Sequence, residues 1–191
     1  MHKRGFLVVI SSPSGGGKTT IIRKVLESGN GNFRYSISAT TRPRRHSEVN
    51  GQDYYFMDCD TFMQKQKGGE FVEWAKVHGN YYATPKAQLD KWLDEGKIVF
   101  LDLDVEGGLE IKKKYGDSSQ LIFIKPPSFQ SLIQRLKARK TESQAQIDKR
   151  LERYPEDMRK AEFYDYQIVN EKLDQTVQDV LDIVRLHQIK H

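Results

Sequence analysis

The run Ser12-Pro13-Ser14-Gly15-Gly16-Gly17-Lys18-Thr19-Thr20 constrains the fold more than any other stretch of the chain. An apolar run, Phe6-Leu7-Val8-Val9-Ile10, precedes it and reads as a buried strand. Ile21, Ile22, Val25 and Leu26 follow at the spacing of one helix face. Strand, glycine loop, Lys-Thr and helix is the context of a phosphate-binding loop, or P-loop. Glycine has no Cβ, so successive backbone N–H groups can converge on phosphate oxygens. The helix N-terminus adds its dipole and free donors. Lys18 offers a cation for β- and γ-phosphates, and Thr19 a hydroxyl for Mg²⁺. Ser12 stands where the usual pattern begins with glycine, a change the loop tolerates if that residue only starts the turn. The plain alternative is a Gly/Ser-rich surface turn, but such a turn has no use for Lys-Thr at a helix start.

Further along, Tyr35-Ser36-Ile37-Ser38, Asp53 to Met57 and Phe71-Val72-Glu73-Trp74-Ala75 read as half-buried strands, with Gly79-Asn80 as a turn before Tyr81-Tyr82. A short helix near Thr61 to Lys67 lies among them. The group reads as a small mixed sheet inserted after the first strand and helix. Thr84-Pro85 predicts a helix start with Thr84 as N-cap and Pro85 at the first helical position. Ile98 to Asp104 is a nearly continuous apolar run ending in carboxylates, the pattern of a parallel strand covered on both faces. Gln120 to Ile124 and Tyr166 to Val169 repeat it. Between and after them, Phe129, Leu132, Ile133 and Leu136, then Val177, Val180, Leu181 and Val184, carry helical spacing. The alternation predicts an α/β layered fold with a parallel core sheet. Ligands of such sheets bind at the carboxyl ends of the strands. The P-loop and Asp102 with Asp104 then face one crevice, and two residues apart on a strand the carboxylates point the same way.

The chain has 191 residues, enough for one domain with a sizeable core. It contains no apolar stretch of bilayer-spanning length, and its first strand is too short for a signal-peptide core. Cys59 is the single cysteine, which excludes an internal disulfide and suits a reducing, cytoplasmic setting. The net charge of +5 suits anionic partners. The five histidines show no metal-ligand pairing, so no protein-held zinc site is expected.

Several groups of side chains stand out beyond the loop. Arg42-Pro43-Arg44-Arg45 brings three guanidinium groups together on a loop stiffened by proline, and guanidinium matches phosphate better than ammonium does. A solvated basic loop is the plain reading. Glu73, between bulky apolar neighbours, either points to solvent or receives donors in a pocket. Guanine presents N1–H and a 2-amino group side by side, a pair that one carboxylate accepts together, whereas adenine has no N1–H. Asp102 and Asp104 beside a P-loop suit a Mg²⁺ shell or a nucleotide contact; without the loop they are ordinary strand-end residues. Arg135 and Arg139 share a helix face, and Arg150 returns on the next helix after a polar connection, Thr141 to Gln146. They fit either a lid that carries arginines over transferring phosphates or a solvated helical hairpin.

Together these residues resemble the guanylate kinases, from about Gly5 to Val184. The resemblance rests on Pro13 to Thr19, Thr40-Thr41-Arg42, Glu48-Val49-Asn50-Gly51 with Asp53-Tyr54, Glu70-Phe71-Val72-Glu73-Trp74 and Gly79-Asn80-Tyr81-Tyr82. It continues through Leu101 to Asp104, Pro126-Pro127-Ser128, Arg135-Leu136 with Arg139, Lys149-Arg150-Leu151 and Ile168-Val169-Asn170. The P-loop is common to many families; the middle motifs are far more specific and their order matches. The resemblance implies phosphorylation of GMP by ATP on a P-loop three-layer fold. It implies a core (about 1–35, 86–125 and 160–191), a GMP-binding insert on the small mixed sheet (about 36–85) and a helical lid (about 126–159). Pro13, Ser14, Gly15, Gly16, Gly17, Lys18, Thr19, Thr20, Arg135, Arg139 and Asn170 would then serve ATP. Arg42, Arg45, Tyr54 and Tyr82 would hold the GMP phosphate, and Ser38, Glu73, Thr84 and Asp104 would read guanine. Lys18, Arg42, Arg135, Arg139 and Arg150 would stabilise the moving phosphoryl group. Mg²⁺ is the implied cofactor, at Thr19 and, through water, Asp102.

Two departures stand against the pattern. The family usually reads Arg-x-Pro-Arg-x-Gly-Glu, and here Arg42-Pro43-Arg44-Arg45-His46-Ser47-Glu48 moves the proline and replaces the glycine. Without a gap Arg45 is the phosphate ligand, and Arg44 is the alternative. Glu106 stands where the family commonly has Gln, next to the Asp104 region.

Rival readings are weaker. Asp104-Val105-Glu106-Gly107 fits the Asp-x-x-Gly of P-loop GTPases, but the Asn-Lys-x-Asp guanine signature of that class is missing from the sequence. A non-catalytic guanylate-kinase-like protein-binding module is the main alternative. Such modules typically lose P-loop or lid residues, whereas Lys18, Thr19 and the three lid arginines are present here. A kinase for another base is opposed by Glu73 with Ser38 and Thr84. Scattered basic charge without a stacking motif argues against a nucleic-acid partner, and no membrane partner is expected. Nothing in the sequence assigns an oligomeric state.

Overall fold

In a computed structural model that describes residues 3–29, 31–77, 79–138 and 144–190, β1 (Phe6–Ser11) is buried at every position. The P-loop leads from it into α1 (Lys18–Glu27), and β2 (Phe33–Tyr35) follows. The chain then leaves the first sheet for β3 (Ala39–Thr40), β4 (Tyr55–Phe56), α2 (Cys59–Lys67), β5 (Phe71–Val77) and β6 (Asn80–Pro85). It returns through α3 (Lys86–Asp94), β7 (Ile98–Asp102), α4 (Val105–Tyr115) and β8 (Ser119–Lys125). Three helices, α5 (Phe129–Ala138), α6 (Gln144–Leu151) and α7 (Tyr154–Lys160), precede β9 (Tyr166–Val169) and α8 (Leu173–Lys190).

The core sheet runs β2-β7-β1-β8-β9, with every pairing parallel. Parallel strands connected through helices are covered on both faces, which is why β1, β7 and β8 read as apolar runs without alternation. One face packs Val8, Ile10, Phe100 and Ile122 against Ile21, Ile22 and Val25 of α1 and Val180 and Val184 of α8. The other packs Leu7, Val9, Val99 and Phe123 against Leu89 and Leu93 of α3 and Ile111 of α4. The second sheet runs β4-β3-β6-β5, parallel only between β3 and β4, and closes its own small core on Ala39, Phe62 and Ala83. Leu132 and Leu136 of α5 meet Ile147 of α6 in a separate cluster.

Three local expectations are corrected. Tyr35 to Ser38 is not a strand of the inserted sheet: Tyr35 ends β2 on the edge of the core sheet, Ser36 N–H donates to Phe100 O at 2.9 Å, and the second sheet begins at Ala39. Thr84 does not cap α3. It lies in β6, Pro85 is the N-cap residue, and the Thr84 hydroxyl donates to Glu73 instead. Asp102 and Asp104 are not two residues of one strand. Asp102 ends β7, and Asp104 caps α4 by accepting the Gly107 N–H at 2.9 Å. In addition, α6 takes up Gln144 to Gln146, the end of the expected connection, while Thr141 lies outside the described residues.

Candidate active site

Two glycines give the P-loop its path. Gly15 has φ +93° and Gly17 φ +94°, a region that costs residues with a Cβ about 1–2 kcal/mol. A Cβ at Gly15 would lie 2.9 Å from Leu136 Cδ2, because α5 packs against the loop. A Cβ at Gly17 would meet Asn170 Nδ2 at 2.9 Å. Asn170 is buried after β9; it donates to Gly16 O at 3.0 Å and accepts from Thr176 Oγ1 at 3.2 Å, bracing the loop from behind. Gly17→Ala is accordingly expected to weaken triphosphate binding by about tenfold or more, read by calorimetry, with the helical circular dichroism signal retained.

The β1–β7 register places Ile10 beside Asp102, so the end of β7 flanks the loop. Lys18 Nζ forms an ion pair with Asp102 Oδ1 at 2.7 Å and donates to Leu103 O at 3.0 Å. Thr19 Oγ1 donates to Asp102 Oδ2 at 3.3 Å. Ser11 Oγ also donates to Leu103 O, at 2.9 Å, and accepts from Tyr164 OH at 2.8 Å. The turn from β7 into α4 is thus pinned by β1, α1 and Tyr164. Burial raises the Tyr164 phenol pKa, so it stays a donor.

On the second sheet, Arg42 donates from Nη1 and Nη2 to the two Glu48 oxygens at 3.0 and 2.7 Å, and Arg45 N–H adds a third bond to Glu48 at 2.8 Å. The Arg42 hydrogen bond holds the Glu48 carboxyl below its ordinary pKa. Arg44 turns away and donates to Glu48 O at 3.1 Å. The Arg42 guanidinium lies 5.3 Å from the centre of the Tyr54 ring, within cation–π range, and the Tyr54 and Tyr82 rings are 6.0 Å apart. Glu73 is 7% exposed on β5, and Thr84 Oγ1 of β6 donates to its Oε1 at 2.6 Å. Burial, partly offset by the Thr84 bond, pushes its carboxyl up to about 7. The pocket alternative for Glu73 is the one realised.

One cavity of about 600 Å³ joins these parts. Its wall includes Pro13 to Thr20, Ser38, Arg42, Arg45, Tyr54, Glu73, Tyr82, Asp102, Asp104 and Arg150. Arg45, and not Arg44, is on that wall. Thr84 sits buried behind Glu73, and Asn170 behind the loop. Arg135 is directed to Asn170 O at 3.0 Å and does not line the cavity. Arg139 lies outside the described residues. Arg150 Nη1 reaches from α6 to Ser14 Oγ at 2.5 Å.

Three charged residues of the cavity wall were not among the expected site residues. Glu48 positions Arg42, and a carboxylate six residues after the first arginine was the available signal. Arg153 and Asp157 line the cavity too; with Arg150 they fall at i, i+3 and i+7, a spacing that crosses the break between α6 and α7. Burial, opposed by Arg153, raises the Asp157 carboxyl to about 6.

Residues 4–187 match the family model described as Guanylate kinase. The chain belongs to the guanylate kinase family. It is 44% identical over 184 residues to a guanylate kinase of Lactococcus lactis subsp. lactis (strain IL1403), covering 96% of this chain and 89% of the relative. A guanylate kinase of Thermotoga maritima is 42% identical over 187 residues, covering 98% of this chain and 89% of the relative. The crystal structure of guanylate kinase from Anaplasma phagocytophilum superimposes with a TM-score of 0.80 at 33% identity, over 97% of this chain and 87% of that one. Against the guanylate kinase pattern, the charge of Glu106 is taken up by an ion pair with Lys160 of α7, which also binds Glu156 at 2.7 Å.

Proposed function

We propose that this chain transfers the γ-phosphoryl group of ATP to the 5′-phosphate of GMP, and of dGMP, giving ADP and the guanine nucleoside diphosphate. The observation that carries the reading is one cavity with a P-loop at one end and a buried carboxylate, Glu73, at the other. An ionised Glu73 accepts guanine N1–H and the 2-amino group together; adenine offers no such pair. Thr84 fixes the carboxylate, and Ser38 and Asp104 complete the base end. Arg42, Arg45, Tyr54 and Tyr82 hold the acceptor phosphate between the two ends. We assign 36–85 to the acceptor-binding part, 126–159 to the lid, and the remainder to the core.

In the reaction an acceptor phosphate oxygen attacks the γ-phosphorus in line, and the bond from that phosphorus to the β,γ-bridging oxygen breaks, releasing ADP. The attacking oxygen is already anionic, so no strong general base is needed; positioning and charge neutralisation carry the rate. Pro13 to Thr20 cradle the donor phosphates, Asn170 braces that cradle, and Lys18, Arg42 and Arg150 on the cavity wall neutralise charge on the moving group, joined by Arg135 and Arg139 once the lid turns Arg135 away from Asn170 O. Thr19 Oγ1 and Asp102 Oδ2, 3.3 Å apart, form an oxygen donor pair that suits Mg²⁺ shared with substrate phosphates. Bound there, Mg²⁺ would screen the repulsion between the two nucleotides' phosphates. Cytoplasmic nucleotides are the corresponding substrates.

ADP release from ATP and Mg²⁺, compared across GMP, dGMP, AMP, UMP and no acceptor, tests the assignment. Turnover confined to the guanine acceptors is expected. Turnover on AMP or UMP would remove the Glu73 reading, and silence on every acceptor from folded protein would favour the protein-binding module.

Two further results are expected. Glu48→Gln frees Arg42 from its bidentate partner, and the KM for GMP should rise by about tenfold, the scale of a charged hydrogen bond, with the KM for ATP little changed. The pH dependence follows from Glu73. Its ionised form is the acceptor, so with a pKa of about 7 the KM for GMP should rise roughly tenfold between pH 8 and pH 6. Asp157 titrates lower, at about 6, so the first break in the profile belongs to Glu73.

A further inference from the structure

The side of α6 and α7 that faces the core carries a residue with no role in the reaction as described above. Arg153 is the N-cap residue of α7, stands at the break between the two helices and lines the cavity. Its Nη2 lies 3.7 Å from Asp104 Oδ2. The other Asp104 oxygen, Oδ1, is fixed by the Gly107 N–H at 2.9 Å. Oδ2 is therefore the oxygen that faces incoming groups. Asp104 lies beside Glu73 at the base end and connects it to the loop end. A side-chain carbon built at Gly107 would lie 3.1 Å from Glu73 Oε2 and 3.3 Å from Asp104 Oδ1, while Asp102, two residues earlier, holds Lys18. Asp157, four residues after Arg153, faces the same gap.

At 3.7 Å the Arg153–Asp104 contact is an ion pair and not yet a hydrogen bond. Charge-assisted N–H···O bonds form at about 2.7–2.9 Å, so a movement of α7 by about 1 Å closes it. We infer that Arg153 is a positioning residue for the acceptor nucleotide, acting through Asp104. It holds Oδ2 towards the base end of the cavity, and by the same contact it ties the lid to the acceptor half of the site. The inference rests on the guanylate kinase reading of Asp104. A planar guanidinium can donate to Asp104 and to Asp157 from different nitrogens, whereas an ammonium keeps only the charge. The Arg153 side chain is 34% exposed and makes no capping bond, so the fold is expected to survive its replacement.

The test is GMP binding by calorimetry, with KM and kcat for both nucleotides, across wild type, Arg153→Gln, Arg153→Lys, Asp104→Asn and the Asp104→Asn/Arg153→Gln double variant. Arg153→Gln should weaken GMP binding roughly five- to tenfold, with the KM for ATP held within about twofold. Arg153→Lys should recover part of that loss. In the Asp104→Asn background, Arg153→Gln should add nothing, the mark of a residue that acts through its partner. Unchanged GMP affinity in Arg153→Gln overturns the inference. So does an equal effect with and without the Asp104 charge, or an effect on ATP alone, which would make Arg153 a direct phosphate ligand. A wild-type chain with no preference for GMP over AMP overturns the acceptor reading itself, and this inference with it.

Discussion

Replacing Lys18 by Met should lower kcat by about 10²–10³, or ~2.7–4 kcal/mol, the scale of losing one preorganised donor to developing charge. Lys18 starts α1 where the loop N–H groups converge, and its ammonium is held at the cavity wall by Asp102 at 2.7 Å and Leu103 O at 3.0 Å. Met keeps the apolar stem and removes the cation alone. GMP binding should hardly change, because Glu73 at the other end of the cavity and Arg42 and Arg45 in between make the acceptor contacts. The same substitution leaves Asp102 without its ion-pair partner. The pair is about one-fifth exposed, so a modest loss of stability accompanies the loss of rate. The Lys18→Met/Asp102→Asn double variant should recover that stability and none of the rate. Steady-state kinetics at saturating GMP with thermal melts of both variants measure this. A Lys18→Met enzyme within a few fold of wild type would remove Lys18 from the catalytic group.

The cations of the site share one arrangement. Lys18 pairs with Asp102, Arg42 with Glu48, and Arg150 bonds Ser14. Lys18, Arg42 and Arg150 each have a protein oxygen as partner on the cavity wall. Nucleotide binding then exchanges one set of charged contacts for another, and the desolvation cost of the cations has already been met in folding. Arg135 is the exception in direction: it faces Asn170 O and not the cavity.

Much of this was legible in the chain because it depends on local chemistry. The P-loop, the doubly covered strands and the order of the middle motifs are written in consecutive residues, and the core sheet follows them. What the sequence hid depends on partners distant along the chain. Thr84-Pro85 carries a helix-start signal, yet Glu73, eleven residues earlier on the neighbouring strand, takes the threonine hydroxyl. Asp104 continues an apolar run and reads as strand, but a cap on Gly107 satisfies its carboxylate better than a strand position would. Tyr35 to Ser38 alternates as one strand, and the chain changes sheets within it, which no periodicity records. Arg153 and Asp157 escaped notice because a helix break separates them from Arg150.

Glu73→Gln should make the protein more stable and its acceptor site less selective. A carboxyl raised from 4.5 to about 7 carries roughly 3 kcal/mol against its ionised form above neutral pH. The sign follows from the direction of the shift. The folded state holds the proton more tightly than the unfolded state, so the stability from this group is complete below about 4.5 and is lost as pH rises through about 7. Wild-type Tm should therefore gain from acidification between pH 8 and pH 6 through this residue, and Glu73→Gln should lack that component. At pH 8 the variant should exceed wild type by up to about 3 kcal/mol, less whatever the new amide leaves unbonded. The selectivity result has the opposite sign. Gln offers a carbonyl to guanine N1–H but sets an NH₂ group against the 2-amino group, donor facing donor. A polar site that loses its matched partner can forfeit discrimination of roughly 10⁴, so kcat/KM for GMP should fall steeply while that for AMP stays low. Melts at the two pH values and kcat/KM for both acceptors decide it. A variant that is less stable at pH 8 and still fully selective would show that Glu73 is neither strained by burial nor the reader of the base.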